Sequence, residues 1–247
     1  RETTNEIFFN KEKATRCLSK LKDYFKEIKT VASIEYPNTI VYGSNEWLIY
    51  MFYSCLLDYG MKSKLYHSRL VQTYYQHKDI FNPKMVIQYR EDELLYIIKE
   101  NIHPRYPNIA VNELNKYDNL LETVQSFSNF NTLALFIQEM HGYGQKTGGL
   151  LLRLIAEANI CCFDETIPFI PLDRHDMEIS YLNGIIPVKK LNDRQIRKLS
   201  DLLIYIGMQL KISPCDLDKY LWEIGNHFCN KKDCIHCPLQ DNCQTKL

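Results

Sequence analysis

Apolar positions recur at intervals of three and four along most of the 247-residue chain, and this periodicity predicts helices in place of strands. Ser44-Asn45-Glu46 reads as a helix cap. Trp47, Leu48, Tyr50, Met51 and Leu56 follow on several faces, so a mostly buried, central helix is expected to run to about Gly60. A second amphipathic stretch covers 64–77, and Asn82-Pro83 restarts the chain before Met85, Val86 and Ile87, as proline does at a first helical position. Further helices are expected over 90–99, 110–121, 131–140, 147–158, 174–181, 193–210 and 216–226. His103-Pro104-Arg105-Tyr106-Pro107 is excluded from helix, because each proline also biases its predecessor toward extended backbone. Residues 163–171 carry two prolines and little periodicity, which marks a connection between subdomains. No repeat at a solenoid period is present. The expected class is all-α.

Composition adds limits. Hydrophobic residues make up 45%, enough for a core, while 30 basic residues balance 30 acidic ones. A polyanionic partner would therefore need a local patch. No run approaches the ~20 apolar residues that span a bilayer, so membrane insertion is not expected.

Nine cysteines are an odd count, and no secretory leader pattern opens the chain, so a reducing, cytoplasmic setting is expected, or a nuclear one in a eukaryote. Four of the nine, Cys229, Cys234, Cys237 and Cys243, are spaced C-x4-C-x2-C-x5-C. Thiolates are soft ligands that suit zinc or an iron-sulfur cluster, and the two-residue gap lets one turn aim two sulfurs at a common centre. Spacing leaves both occupants open. The other five, Cys17, Cys55, Cys161, Cys162 and Cys215, lie in apolar surroundings and are expected to behave as small buried hydrophobes.

Between two helical patterns lies Met140-His141-Gly142-Tyr143-Gly144-Gln145-Lys146-Thr147-Gly148. A Gly-x-Gly turn opening a helix leaves unpaired N–H groups at the positive end of the helix dipole, a seat for phosphate, although a generic helix-helix turn would explain the same glycines. Further on, Leu172-Asp173-Arg174-His175 sets an acidic residue just before a new helix. Taken singly, Asp173 reads as a helix cap and Lys146 as a solvated charge.

In this order, hairpin, Asp173 motif and cysteine loop, the chain resembles the helix-hairpin-helix DNA glycosylases of the endonuclease III superfamily over roughly residues 40–243. That family's hairpin reads Leu-Pro-Gly-x-Gly-x-Lys-x-Ala, followed by Val-Asp-x-His and a four-cysteine 4Fe-4S loop. The resemblance implies two helical subdomains, a barrel of 40–158 bearing the hairpin and a cluster subdomain of 1–39 with 159–247, with a DNA-binding cleft between them. It puts Lys146 on the catalytic lysine, Asp173 on the catalytic aspartate, and a 4Fe-4S cluster on Cys229, Cys234, Cys237 and Cys243, zinc being the alternative. Gly142, Tyr143, Gly144, Gln145 and Thr147 would hold the DNA backbone with a bound monovalent cation. Arg105 would sit near the inserted wedge, and Lys231 and Lys232 would meet phosphates.

The implied activity is base excision with lyase chemistry, by a monomer acting on double-stranded DNA with a damaged, modified or mismatched base. Cleaving an N-glycosidic bond develops positive charge on the sugar, which a carboxylate stabilises, and a deprotonated amine forms a Schiff base with the opened sugar. Two alternatives stay open: a monofunctional glycosylase in which Asp173 assists water, and a non-catalytic helix-hairpin-helix DNA-binding protein with a structural metal site. This chain also departs from the pattern. The connection between Lys146 and Asp173 is long around 161–169, the first cysteine interval is short, and Ser54-Cys55-Leu56-Leu57-Asp58-Tyr59 replaces a glutamine motif on the central helix. The excised base is therefore not readable from the residues.

Overall fold

A computed structural model describes residues 7–28, 34–57, 63–86, 88–90, 92–93, 96–97, 116–117 and 119–244. They form helices, turns and loops, with no strand among the described residues. The chain divides into two compact units, Ser33–Ile167 and the pairing of Arg1–Ala32 with Pro168–Leu247.

The first of these is organised by α2 (Asn45–Leu57). Ser44 starts it by accepting the Trp47 N–H at 3.1 Å on its hydroxyl. Nearly every residue from Trp47 to Leu56 is buried, as expected of a helix apolar on all sides. Around it lie α3 (Ser63–Gln76), a 3-10 turn (Lys78–Phe81), α4 (Pro83–Val86), α5 (Leu120–Gln125), α6 (Phe130–Glu139) and α7 (Gln145–Glu157). α2 packs directly on α7, α5 and the 3-10 turn. Full burial of a large apolar side chain contributes about 1.5–3 kcal/mol, so side chains such as Leu48 and Phe52 hold the unit together. Two tyrosine hydroxyls inside it find backbone acceptors, Tyr66 on the Ser54 carbonyl at 2.9 Å and Tyr143 on that of Phe52 at 2.8 Å, whereas those of Tyr50 and Tyr53 are buried without a partner among the described residues.

The helices foreseen over 90–99 and 110–121 lie largely outside the described residues; of the second, Lys116 and Tyr117 are outside any helix, and Leu120–Gln125 form one. Asn119 caps α5: its side chain accepts the Glu122 N–H at 3.2 Å and its backbone is extended. The 3-10 turn Lys78–Phe81 had no periodic signal, being a single turn long.

The second unit joins α1 (Lys11–Phe25) to α8 (Arg174–Leu182), α9 (Asp193–Gln209) and α10 (Pro214–Ile224). Ala14, Cys17, Leu18, Leu21 and Phe25 form one buried stripe on α1, which packs on α9. α10 packs against both α8 and α9 and runs on into a π-helical turn, Gly225–Cys229. Its start matches its chemistry: Ser213 caps it and Pro214 occupies the first turn, where no N–H is missed.

Of the five cysteines read as buried hydrophobes, Cys17, Cys55 and Cys161 are buried, Cys215 is half-buried and Cys162 is exposed. Vicinal residues point different ways, so burying Cys161 leaves Cys162 outside. No helix among the described residues is long and apolar enough to cross a membrane.

Candidate active site

The hairpin forms as its sequence suggests. Asn129 opens α6 by accepting the Thr132 N–H at 2.8 Å, and the chain then turns through Met140 to Gly144 into α7. Gly142 has φ +89°, a left-handed conformation that glycine adopts without steric cost. Gly144 is the N-cap of α7 and has no side chain to satisfy the first amides, and a Cβ there would meet nothing within 4 Å. The first N–H groups of α7, at Gln145, Lys146 and Thr147, are thus the orphan donors of a 13-residue helix that no side chain caps. Gly148 has another role: a Cβ there would lie 3.1 Å from the Tyr143 carbonyl and 3.2 Å from Ile137, so glycine lets α7 cross close to α6.

Tyr143 anchors the turn. Its ring is buried against Phe52, and its hydroxyl donates to the Phe52 carbonyl of α2 at 2.8 Å. The side chain of Tyr143, one of the residues expected to hold DNA, is therefore spent on the core. Gln145 is half-buried with an unpartnered side-chain nitrogen, Thr147 is half-buried, and Lys146 is exposed. Among the described residues Lys146 makes no ion pair.

Asp173 lies in the other unit, at the N-cap of α8. Its Oδ1 accepts from the His175 N–H at 2.6 Å and the Asp176 N–H at 3.1 Å. Asp176 replies by accepting the Asp173 N–H at 2.6 Å, which closes a capping box. The capping role and the catalytic role foreseen for Asp173 are compatible: the cap immobilises the carboxylate, and both amide bonds fall on one oxygen. Asp176 is only 4% exposed and was not singled out in the sequence. Burial, then Asp173, then Asp218 of α10 hold its carboxyl well above the usual carboxylate range. The Asp-x-x-Asp spacing was the available signal, since an acidic residue three positions after a cap reaches back to it.

The seating of α8 depends on a further residue outside any motif. A Cβ on Gly225 would stand 2.9 Å from the Cβ of His175, so glycine lets the π-helical turn lie against the first turn of α8. Its signal was a glycine inside an otherwise helical pattern.

The same turn ends at Cys229. Cys237 donates its N–H to the Cys234 carbonyl at 3.3 Å, and Cys243 donates its own to Leu239 at 3.0 Å, so compact turns carry the remaining thiols. Lys20 of α1 pairs with Asp241 at 2.9 Å beside them. Burial pushes the Cys229 thiol up to about 12, with Cys237, Glu178, Cys243 and Cys234 adding to the rise. All four cysteines are half-buried. Among the described residues no three histidine, cysteine, aspartate or glutamate side chains are gathered as ligands of one metal ion. Lys231 and Lys232 are exposed on the loop, Lys232 at φ +56°. Arg105 lies outside the described residues.

Comparison with protein-family models and with curated proteins finds no match. Solved structures do match. The Methanocaldococcus jannaschii 8-oxoguanine glycosylase/lyase, in complex with a 15mer DNA containing 8-oxoguanine, is 18% identical with a TM-score of 0.56, over 87% of this chain and 89% of that one. The 8-oxoguanine DNA glycosylase of the same organism matches at 18% identity and a TM-score of 0.55, over 88% of each chain. That of Thermotoga maritima matches at 18% identity and 0.59, over 87% of this chain and 97% of its own. Across nearly its whole length, the chain has the helical fold of these DNA glycosylases.

Proposed function

We propose that this protein is a DNA glycosylase with associated lyase activity, acting on duplex DNA that carries an oxidised base, 8-oxoguanine first. The observation that carries the reading is the pair of motif positions within that fold. A lysine stands in the first turn of the hairpin's second helix, and a carboxylate is pinned by two amides at the N-cap of the helix after it. The solved structures sharing the fold are 8-oxoguanine glycosylases, which supports the substrate.

In the proposed reaction the damaged nucleotide leaves the stack. The bond from C1′ to the base breaks and the base departs with the electron pair, taking up a proton. Asp173 stabilises the positive charge that develops on the sugar. The neutral amine of Lys146 forms the new bond to C1′, and opening of the sugar ring gives a Schiff base. Loss of a C2′ proton then expels the 3′ phosphate. The amides of Gln145 and Thr147 and the turn at Gly142 and Gly144 hold the backbone phosphate, with a monovalent cation there, and Lys231 and Lys232 add phosphate contacts.

Cys229, Cys234, Cys237 and Cys243 would hold a 4Fe-4S cluster, with zinc as the other occupant their thiols suit. Such a group would tie the cysteine loop to the rest of its unit. Visible absorption near ~400 nm, with iron and sulfide in the purified protein, is the expected result, and a colourless protein containing zinc would assign the second occupant.

The deciding experiment uses duplex DNA with a single 8-oxoguanine. Excision by the wild-type protein, its loss in Asp173→Asn, and a borohydride-trapped covalent adduct that disappears in Lys146→Gln are expected. Excision without any adduct would reduce the activity to a monofunctional glycosylase. Binding without excision of any damaged base would leave a non-catalytic DNA-binding protein.

A further inference from the structure

The buried carboxyl of Asp176 has no part in the reaction as set out above, yet it touches Asp173, which does. Asp176 accepts the Asp173 N–H at 2.6 Å, and the two carboxyl groups lie within hydrogen-bonding reach of one another. The two environments differ. Asp173 is half-buried with two amide bonds on Oδ1, whereas Asp176 is 4% exposed and faces Asp218, itself 6% exposed, from α10. Like charges so placed do not both ionise readily, and the proton resides on the member with poorer stabilisation.

We propose that Asp176 is a positioning residue for Asp173, the pair holding one proton carried on Asp176, so that Asp173 is presented as a single fixed carboxylate. The inference rests on the glycosylase reading and deepens it. A neutral carboxylic acid accepts through one oxygen and donates through the other, so Asp176 accepts the Asp173 N–H and at the same time donates an O–H bond to the Asp173 carboxylate. An ionised Asp176 only accepts. Losing that proton replaces a donated hydrogen bond with like-charge repulsion, which loosens Asp173 where the sugar must be met.

The groups facing Asp176 are few. Asp173 comes from its own helix and Asp218 from α10. The π-helical turn, also packed on α8, brings Gly225 against His175 and carries His227, whose Nε2 is engaged by Glu223 at 2.8 Å. Neither Asp173 nor Asp218 brings a positive charge to Asp176, so the proton is the available neutraliser.

The test is the pH profile of single-turnover excision from duplex DNA containing 8-oxoguanine, for the wild type, Asp176→Asn and Asp176→Ala. Asparagine permanently mimics the neutral acid, accepting with its oxygen and donating with its nitrogen, whereas alanine does neither. The wild-type rate is expected to fall on the alkaline side as Asp176 ionises. Asp176→Asn should match the wild type near neutrality and lack that fall, and Asp176→Ala should be slower by about 10- to 100-fold throughout, the scale of a displaced catalytic group. Melting curves identify a variant that fails to fold. If alanine does so, the comparison of asparagine with wild type still decides. Superimposable profiles for wild type and Asp176→Asn would overturn the inference. If excision is lost in Asp173→Asn while those profiles coincide, the glycosylase function stands without it, whereas excision that survives Asp173→Asn sinks the function itself.

Discussion

Asp173 and Asp176 hold each other's backbone. Each carboxylate accepts the other residue's N–H, at 3.1 Å onto Asp173 and 2.6 Å onto Asp176, and both bonds fall in the first turn of α8. The arrangement fixes an acidic side chain at a helix N-terminus, because the helix amides themselves supply the geometry.

Stability should report the buried proton independently of activity. Asp176 has a folded pKa raised above 3.8, so its contribution is complete below that value and is lost as pH rises through the folded value. Asp176→Asn is therefore expected to melt higher than wild type at neutral pH, with the gap closing in acid. Thermal melts across pH check this, and a gap that widens on acidification would show the charged form to be the favoured one.

Gly225 should matter to catalysis without being near any motif. Placing a methyl group 2.9 Å from the His175 Cβ forces either α8 or the π-helical turn to move, and overpacking of this kind costs about 1–3 kcal/mol. Gly225→Ala is expected to lose that much stability in urea unfolding and to slow excision, since the displaced turn is the one that holds Asp173. Full activity in a destabilised variant would show that the strain relaxes away from α8.

Tyr143 ties the hairpin to α2 by one buried hydrogen bond. Tyr143→Phe removes the donor to the Phe52 carbonyl and should cost about 1 kcal/mol, whereas Tyr143→Ala also removes a ring that is 1% exposed and should cost about 3–5 kcal/mol. Denaturant unfolding separates the two. Equal losses would mean that the ring contributes nothing beyond its hydroxyl.

His67, on α3, is buried with its Nε2 unpartnered, and desolvation lowers its pKa from 6.5 to about 4. The neutral form is the folded one, so its contribution is present above 6.5 and lost as pH falls through about 4. Wild type should lose stability on the order of 3 kcal/mol across that window. His67→Phe should be flat there by the same unfolding measurement, apart from the carboxylates common to both proteins.

Much of the fold was legible because it is written locally. The hairpin helices, α8 and α9 begin and end within a few residues of where periodicity and caps put them, and Asn192 with Gln195 or Ser213 with Pro214 are short-range signals. The cysteine spacing, the Gly-x-Gly turn and the acidic residue before α8 were equally visible, being residue types at fixed intervals.

By itself, the order of residues determined that this chain is helical, where its helices are capped, and which lysine, aspartate and cysteines could carry chemistry, because each of these depends on neighbours a few positions away. Only the tertiary structure decided that Tyr143 belongs to the core, that Gly225 is a spacer for His175, and that Asp176 is buried against Asp218. Those outcomes depend on which helix faces which. Burial and like-charge proximity are properties of packed surfaces, and no periodicity along one strand of sequence encodes the partner that arrives from another.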